Sequence, residues 1–515
     1  MLDILICNAY IADGTGNPGY KADLAVQGER IADIGHLPAA QAKTIINAAG
    51  KVVCPGFIDV HLHSEVEMLE GQHVAGVQMG VTTEFICPDG MSFAPLPPHL
   101  LADYWRYVYG IYGDTDKVQG WRSVNDYLAA FAGRCHNNIV AQAPHGIIRL
   151  AAKGWARGPA TQDELDRQHR LIREWMEAGA VGLNTGLGYA PAAYADVQEL
   201  IKLCKVVAEY GGVYAAHMRN YGDDLESSMA ETIAIAKGAD IPVHISHFGG
   251  TPQMYASAEV ARAQGVDITW DAYPYMAGCT LLSYGLPISM WEQGTQAVVA
   301  DIAKPFVRQR LQAHVDAFFP LDGPAYFAFV SQPQNKWMEG RRVRDVWQQS
   351  GKSFIDFYCD LLIEEDLAPL VIYPWPGNAT ENENRLRNTL THPLQMVSTD
   401  GVYVGSRAHP RSYGTYARML GYVVREKGWL RLEDAIRRMT SFPAARFGLA
   451  ERGLLHKGMA ADLVIFDPKT VADRATYESP RLPPVGIEHV FVNGVPVVTD
   501  GALTGARPGR LVRRS

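Results

Sequence analysis

Two histidines one residue apart, His61 and His63, close the segment Pro55-Gly56-Phe57-Ile58-Asp59-Val60-His61-Leu62-His63. The segment continues an apolar run, Lys51 to Ile58, of the kind a buried parallel strand shows. Side chains at i and i+2 of a strand point to one face, so both imidazoles can reach one ion at the strand's carboxyl end. Neutral imidazole suits zinc. A lone His-x-His arises often by chance, and a lone histidine is more often packed or on the surface. Here His217, His247 and Asp400 each end another apolar run. Four histidines and an aspartate at matching strand ends point to a metal centre.

The middle of the chain must supply those strand ends. Candidate strands are 52–63, 82–87, 138–143, 180–187, 212–217, 242–247, 267–275 and 394–400, with helical patterns such as 161–178, 196–210, 224–238 and 256–264 between them. This alternation predicts an α/β fold, a (β/α)8 TIM barrel, whose active site lies at the carboxyl ends of the strands. Residues 276–393 separate strands seven and eight and are too long for a plain loop, so they should carry structure of their own over the barrel mouth. Both ends of the chain read as short strands and turns, with Asp13-Gly14 and Asn493-Gly494 as turn signals. The expectation is one small β-sandwich domain built from 1–54 and 451–515 around a barrel at 55–450.

Composition narrows the partners. The formal net charge is −8 and no long basic stretch occurs, which argues against nucleic acid. The seven cysteines are odd in number and lack C-x-x-C pairs, as expected of reduced thiols in a cytoplasmic protein. The first residues lack the pattern of a signal peptide, and no run of about 20 apolar residues predicts a membrane span. A homo-oligomer stays open, because the aromatics of 276–393 would serve a subunit contact as well as a lid.

The chain resembles the metal-dependent amidohydrolase superfamily, and within it the N-acyl-D-amino-acid deacylase (D-aminoacylase) branch. Besides the Pro55–His63 opening, the carriers are Gly80-Val81-Thr82-Thr83, Asn184-Thr185-Gly186-Leu187-Gly188-Tyr189, His217-Met218-Arg219, Ile245-Ser246-His247, Tyr273-Pro274-Tyr275 and Asp400-Gly401. Towards the end come His409-Pro410-Arg411, Pro443-Ala444-Ala445-Arg446-Phe447-Gly448-Leu449 and Ala461-Asp462-Leu463-Val464. The resemblance implies one or two Zn2+ ions, with His217 and His247 on the tighter ion and His61 and His63 on the second position. It implies a small-molecule amide as substrate. Zinc lowers the pKa of bound water to about 7 and polarises a carbonyl. A carboxylate beside it, Asp400 by position, takes the water's proton and returns it to the leaving nitrogen.

The chain departs from the superfamily in metal ligation and in substrate recognition. Strand four reads Val181-Gly182-Leu183-Asn184-Thr185, without the lysine that many members carboxylate to bridge two metals. After strand two the branch carries a cysteine ligand, whereas this chain reads Ile86-Cys87-Pro88-Asp89-Gly90. Register from Thr82-Thr83 favours Asp89, and Cys87 stays open as the ligand because zinc accepts either donor. The lysine the family often carries two residues after the strand-six histidine is also missing; Phe248-Gly249-Gly250 stands there. Arg411 could bind a substrate carboxylate through its planar fork, or form a structural ion pair. Tyr189 and Tyr275 could line the pocket. A cyclic, dipeptide-like or xenobiotic amide is the alternative substrate, and a non-catalytic scaffold on the same fold is the alternative of another class.

Overall fold

The computed structural model describes residues 1–515 apart from 39, 119, 223, 250, 319–322 and 515. Five strands open the chain: β1 (Leu2–Ile11), β2 (Tyr20–Gln27), β3 (Arg30–Gly35), β4 (Ala42–Asn47) and β5 (Val52–Pro55). Their apolar side chains, among them Ile6, Ile11, Leu24, Val26 and Val53, are buried together with Leu463, Ile465 and Phe491 from the far end of the chain.

The run expected as one strand over 52–63 is three. It breaks after β5 into β6 (Phe57–Asp59) and β7 (Leu62–His63). Gly56 stands at the break because β8 (Val81–Ile86) passes directly beside it: a Cβ there would lie 2.1 Å from Thr82 Oγ1. The glycine lets the chain leave one sheet and enter the next without displacing Thr82.

Strands and helices then alternate, an α/β fold. After β8 come β9 (Asn138–Ala141), β10 (Ala143–Pro144), β11 (Gly182–Gly186), β12 (Val213–His217), β13 (Val243–Ile245) and β14 (Ile268–Ala272). Among the described residues these pair in parallel as β6-β8-β9 and as β10-β11-β12-β13-β14. Every residue of β8, β11, β12 and β14 is buried, as parallel strands covered on both faces require. Several connecting helices begin on side-chain caps. Thr161 and Glu164 form a reciprocal capping box at the start of Gln162–Glu177. Helix Pro252–Ala263 starts four residues ahead of its expected position at 256, because Thr251 caps it and Pro252 fits the first turn.

The long segment after β14 has structure of its own. Strands β15 (Ala277–Leu281), β16 (Tyr326–Phe329) and β17 (Leu370–Pro374) form an antiparallel sheet in the order β15-β17-β16, joined through several helices. The chain returns in β18 (Gln395–Val397), which pairs in parallel with β14, and β19 (Gly401–Val402), which pairs in parallel with β7. Asp400 N donates to His61 O at 2.8 Å between them, so the last strand region lies against the first.

Strands β20 (Leu463–Phe466), β21 (Ile487–Val492), β22 (Val495–Thr499) and β23 (Ala502–Leu503) complete the terminal sheet. Its order is β23-β22-β21-β20-β5-β1-β2-β3, with β4 paired to β1. Asp462 fastens this sheet to the strands of the middle: Asn493 N donates to it at 2.7 Å, Asn138 Nδ2 at 3.3 Å, and Arg452 pairs with it. Among the described residues, no helix is long and apolar enough to cross a membrane.

Candidate metal centre

His61 and His63 flank the entry to β7, His217 ends β12, and His247 follows β13 by two residues. Asp400 lies between β18 and β19. The structure brings these five groups together and adds Asp89, from the short turn after β8. Asp89 Oδ1 lies 3.5 Å from His61 Nε2 and 3.9 Å from His247 Nε2; its Oδ2 lies 3.8 Å from His63 Nε2 and 3.7 Å from His217 Nδ1. One carboxylate therefore touches all four imidazoles. Asp400 Oδ1 stands 3.6 Å from His61 Nε2 and 3.8 Å from His63 Nε2.

The turns that deliver these groups are unusual. Cys87, Asp89, His247 and Asp400 have φ of 68°, 52°, 36° and 45°, in the left-handed region that side-chain-bearing residues seldom adopt. Such conformations persist where the surroundings hold them, and they gather at functional sites. Here each one re-aims a side chain at the end of a strand. Asp271 Oδ1 holds the His247 turn by accepting His247 N at 2.9 Å and Ser398 Oγ at 2.5 Å. Asp59 holds the Asp400 turn by accepting Thr399 N at 3.1 Å, Thr399 Oγ1 at 2.6 Å and His61 N at 3.2 Å. Glu65 Oε1 accepts Cys87 N at 2.7 Å and fixes the turn that carries Asp89.

Cys87 is placed elsewhere. Its Sγ turns to Ser92 Oγ at 3.4 Å, and burial pushes the thiol well above its usual range. Among the described residues two sets of donor atoms lie close enough to hold an ion, His61–Asp89–His247 and His61–His63–Asp400, and Cys87 is in neither. Asn184, where a bridging lysine would stand, donates instead to Gln142 Oε1 at 2.6 Å.

The electrostatics follow from burying charge. Burial works against the Asp89 carboxylate, yet His61 and His217 hold it well below the usual carboxylate range. Burial pushes Asp400 up to about 6, with Arg411 and His61 pulling the other way. Burial pushes His63 down to about 3 and His247 well below its ordinary value, towards the neutral imidazole that ligates a metal, whereas at His61 burial is outweighed by Asp89 and Asp400, which push it up to about 10.

The donor set fits zinc. His217 Nδ1 and His247 Nε2 face each other at 2.9 Å. Two imidazole nitrogens on one tetrahedral zinc stand roughly 3.3 Å apart, given Zn–N bonds of about 2.0–2.1 Å. Among the described residues His61 Nε2 and Asp89 Oδ1 are buried with no hydrogen-bond partner, a costly arrangement for polar atoms that an ion would relieve.

A cavity of about 850 Å³ opens from these groups. His63, Asp89, His217, His247 and Asp400 form its floor, and Tyr189, Tyr221, Tyr284, Tyr373, Trp347 and Trp375 are on its walls. Tyr275 is not among the lining residues; its hydroxyl donates to Asp473 at 3.4 Å and its ring carries Arg418. Arg411 is buried, pairs with Asp400 Oδ2 at 2.9 Å and lies over the Tyr273 ring. His145 and His244 serve neighbouring hydroxyls and carboxylates: His145 Nδ1 meets Thr185 Oγ1 at 2.7 Å, and His244 Nε2 meets Asp271 Oδ2 at 2.8 Å. Asp59 and Asp271 escaped the sequence reading. The signal was present, since each is a carboxylate in a short, fully buried, mostly apolar strand.

Known proteins are similar to this chain over its whole length. A D-aminoacylase of Alcaligenes xylosoxydans xylosoxydans is 34% identical over 100% of this chain and 98% of its own. A crystal structure of D-aminoacylase superimposes with a TM-score of 0.84 at 33% identity, covering 100% of both chains. The N-acyl-D-glutamate deacylase of Bordetella bronchiseptica, solved with zinc and a phosphonate inhibitor, gives 0.81 at 33% identity over 99% of both. The description of the amidohydrolase family matches residues 44–498, nearly the whole span from the terminal sheet through the metal centre and back. The chain belongs to the amidohydrolase family.

Proposed function

We propose that this protein is a zinc-dependent deacylase that hydrolyses the amide bond of N-acyl-D-amino acids or related N-acyl compounds. The observation that carries the reading is the convergence of four imidazoles and two carboxylates, three of the imidazoles and both carboxylates lining an aromatic-walled cavity. The full-length likeness to D-aminoacylase supports the substrate class. His217, His247 and Asp89 would hold one ion, and His61, His63, Asp89 and Asp400 a second. Bound zinc supplies a Lewis acid for the scissile carbonyl and lowers the pKa of water to about 7.

The chain's own groups do the rest. Asp400 turns Oδ1 to the centre and Oδ2 to Arg411. Oriented in this way it accepts the proton of the attacking water and passes it to the leaving nitrogen. Asp271 and Asp59 keep His247 and Asp400 in their strained turns. Tyr189 and its aromatic neighbours exclude water and enclose the acyl or side-chain portion of the substrate.

We read the parallel strands as one closed (β/α)8 barrel. The pairing order β6-β8-β9, then β10-β11-β12-β13-β14-β18, then β19 against β7 supports closure. Residues 1–54 and 451–515 form the small β domain, residues 55–450 the barrel, and residues from about 276 to 393 the insertion over its mouth.

The test is a panel of N-acyl D- and L-amino acids, with cyclic and dipeptide-like amides alongside, given to protein whose zinc content is measured by elemental analysis. Amine release confined to N-acyl-D-amino acids is the expected result. Turnover of cyclic amides with none of the open-chain compounds would replace this substrate class. Full activity after removal of all metal would end the metal mechanism.

A further inference from the structure

Two residues beyond His247 the chain has Gly249, and a guanidinium has moved against it. Arg385, on helix Ala379–Thr391, donates both Nε and Nη2 to Gly249 O, at 3.0 and 2.5 Å. Its carbon Cζ lies 4.4 Å from the centre of the Trp375 ring. A Cβ on Gly249 would stand 3.5 Å from Nη2 and 3.7 Å from Trp375, in ordinary contact with both. The guanidinium and the indole thus occupy the space beside residue 249 that a side chain there would enter. All three residues line the cavity that holds Asp89, His247 and Asp400.

The partners of Arg385 are neutral. Among the described residues no carboxylate lies within 4 Å of its guanidinium, which makes only carbonyl and aromatic contacts. Other arginines near the centre are committed: Arg219 pairs with Glu231 at 2.9 Å, Arg411 pairs with Asp400 at 2.9 Å, and Arg344 has partners of its own. Arg385 remains solvent-accessible at the cavity wall. A planar cation in this state, stacked on an indole and fixed by a backbone carbonyl, is pre-organised for a carboxylate.

We propose that Arg385 receives the carboxylate of the amide substrate and so sets the preference for N-acyl amino acids over uncharged amides. The proposal rests on the deacylase reading above and deepens it. Arg385 acts on binding and orientation; Asp400 and the metal ligands remain the chemical machinery.

The test compares two ligands that differ only in the carboxylate, N-acetyl-D-phenylalanine and N-acetylphenethylamine. Titration calorimetry on zinc-loaded Asp400→Asn protein measures binding where turnover is slow. Arg385→Met should lower the preference for the acid over the uncharged amide roughly ten- to a hundredfold, the size of one hydrogen bond to a charged group. Arg385→Lys should restore part of it. An unchanged preference in Arg385→Met, or no binding of the acid when Arg385 is present, would overturn the proposal. Wild-type protein that binds the acid through Arg385 but hydrolyses neither compound would sink the deacylase reading and leave this one standing.

Discussion

Arg411 Nη1 and Asp400 Oδ2 form a buried ion pair at 2.9 Å, on the side of the carboxylate that faces away from His61. Arg411 thereby fixes which oxygen of Asp400 faces the metal centre. Asp400→Asn removes the proton acceptor while keeping size and hydrogen bonding. It should retain zinc and lose on the order of 10² to 10⁴ in kcat. A variant within a few-fold of wild type, with metal content measured in parallel, would take Asp400 out of proton transfer.

Arg411→Met should lower kcat or zinc affinity by roughly 10- to 100-fold, as loss of a group that orients a metal-site carboxylate does. It should also destabilise the fold by roughly 3–5 kcal/mol, since it strands a buried charge. Steady-state kinetics, zinc analysis and denaturant titration on one preparation check all three.

Asp89 and Cys87 separate by mutation. Asp89 touches all four imidazoles, whereas the Cys87 thiol turns to Ser92. Asp89→Ala should lose zinc and activity; Cys87→Ser should keep both near wild type. The opposite pattern in elemental analysis would make the thiolate the ligand.

Stability should depend on pH through His73, a buried imidazole held between two carboxylates. Its Nε2 meets Glu84 at 3.0 Å and its Nδ1 meets Glu67 at 3.1 Å. Burial alone would lower its pKa, but the two carboxylates outweigh burial and raise it to about 10. A pKa raised on folding stabilises fully below the unfolded value of about 6.5 and is lost as pH rises through about 10. The stability gap between wild type and His73→Gln should be widest near pH 6 and close towards pH 11. Denaturant midpoints across that range measure it, and a gap independent of pH would show that His73 is not charged in the fold.

The insertion between β14 and β18 supplies Tyr284, Trp347, Tyr373 and Trp375 to the cavity. Ligand should therefore protect it from limited proteolysis. Ligand-independent cleavage that leaves kinetics intact would remove it from the pocket. Trp291 and Trp337 of the same segment do other work: Trp291 packs on Tyr107, and Trp337 is exposed under Arg341.

Histidines near strand ends were legible because an apolar run marks a buried strand locally, although His61 lies in the break between β6 and β7 and not in one strand with His63. Helix starts such as Thr161 were legible for the same reason. What escaped depends on contacts between distant segments. Nothing in the spacing of residues 52–63 shows a change of sheet at Gly56; the cause is Thr82 passing beside it. Tyr275 reads as a pocket tyrosine until Asp473, 198 residues away, takes its hydroxyl. Arg385 reaches Gly249 across 136 residues, and no motif joins them.

The pairing of β5 with β20 sets a timetable for synthesis. Val52–Pro55 finds its antiparallel partner Leu463–Phe466 only about 400 residues later along the chain. At about 5–20 residues per second, that is a delay of roughly 20–80 s on the ribosome. During that interval β5 offers an unfilled edge, with Val52, Val53 and Cys54 awaiting cover. Nascent chains stalled before residue 463 should be the form of this protein most dependent on chaperones.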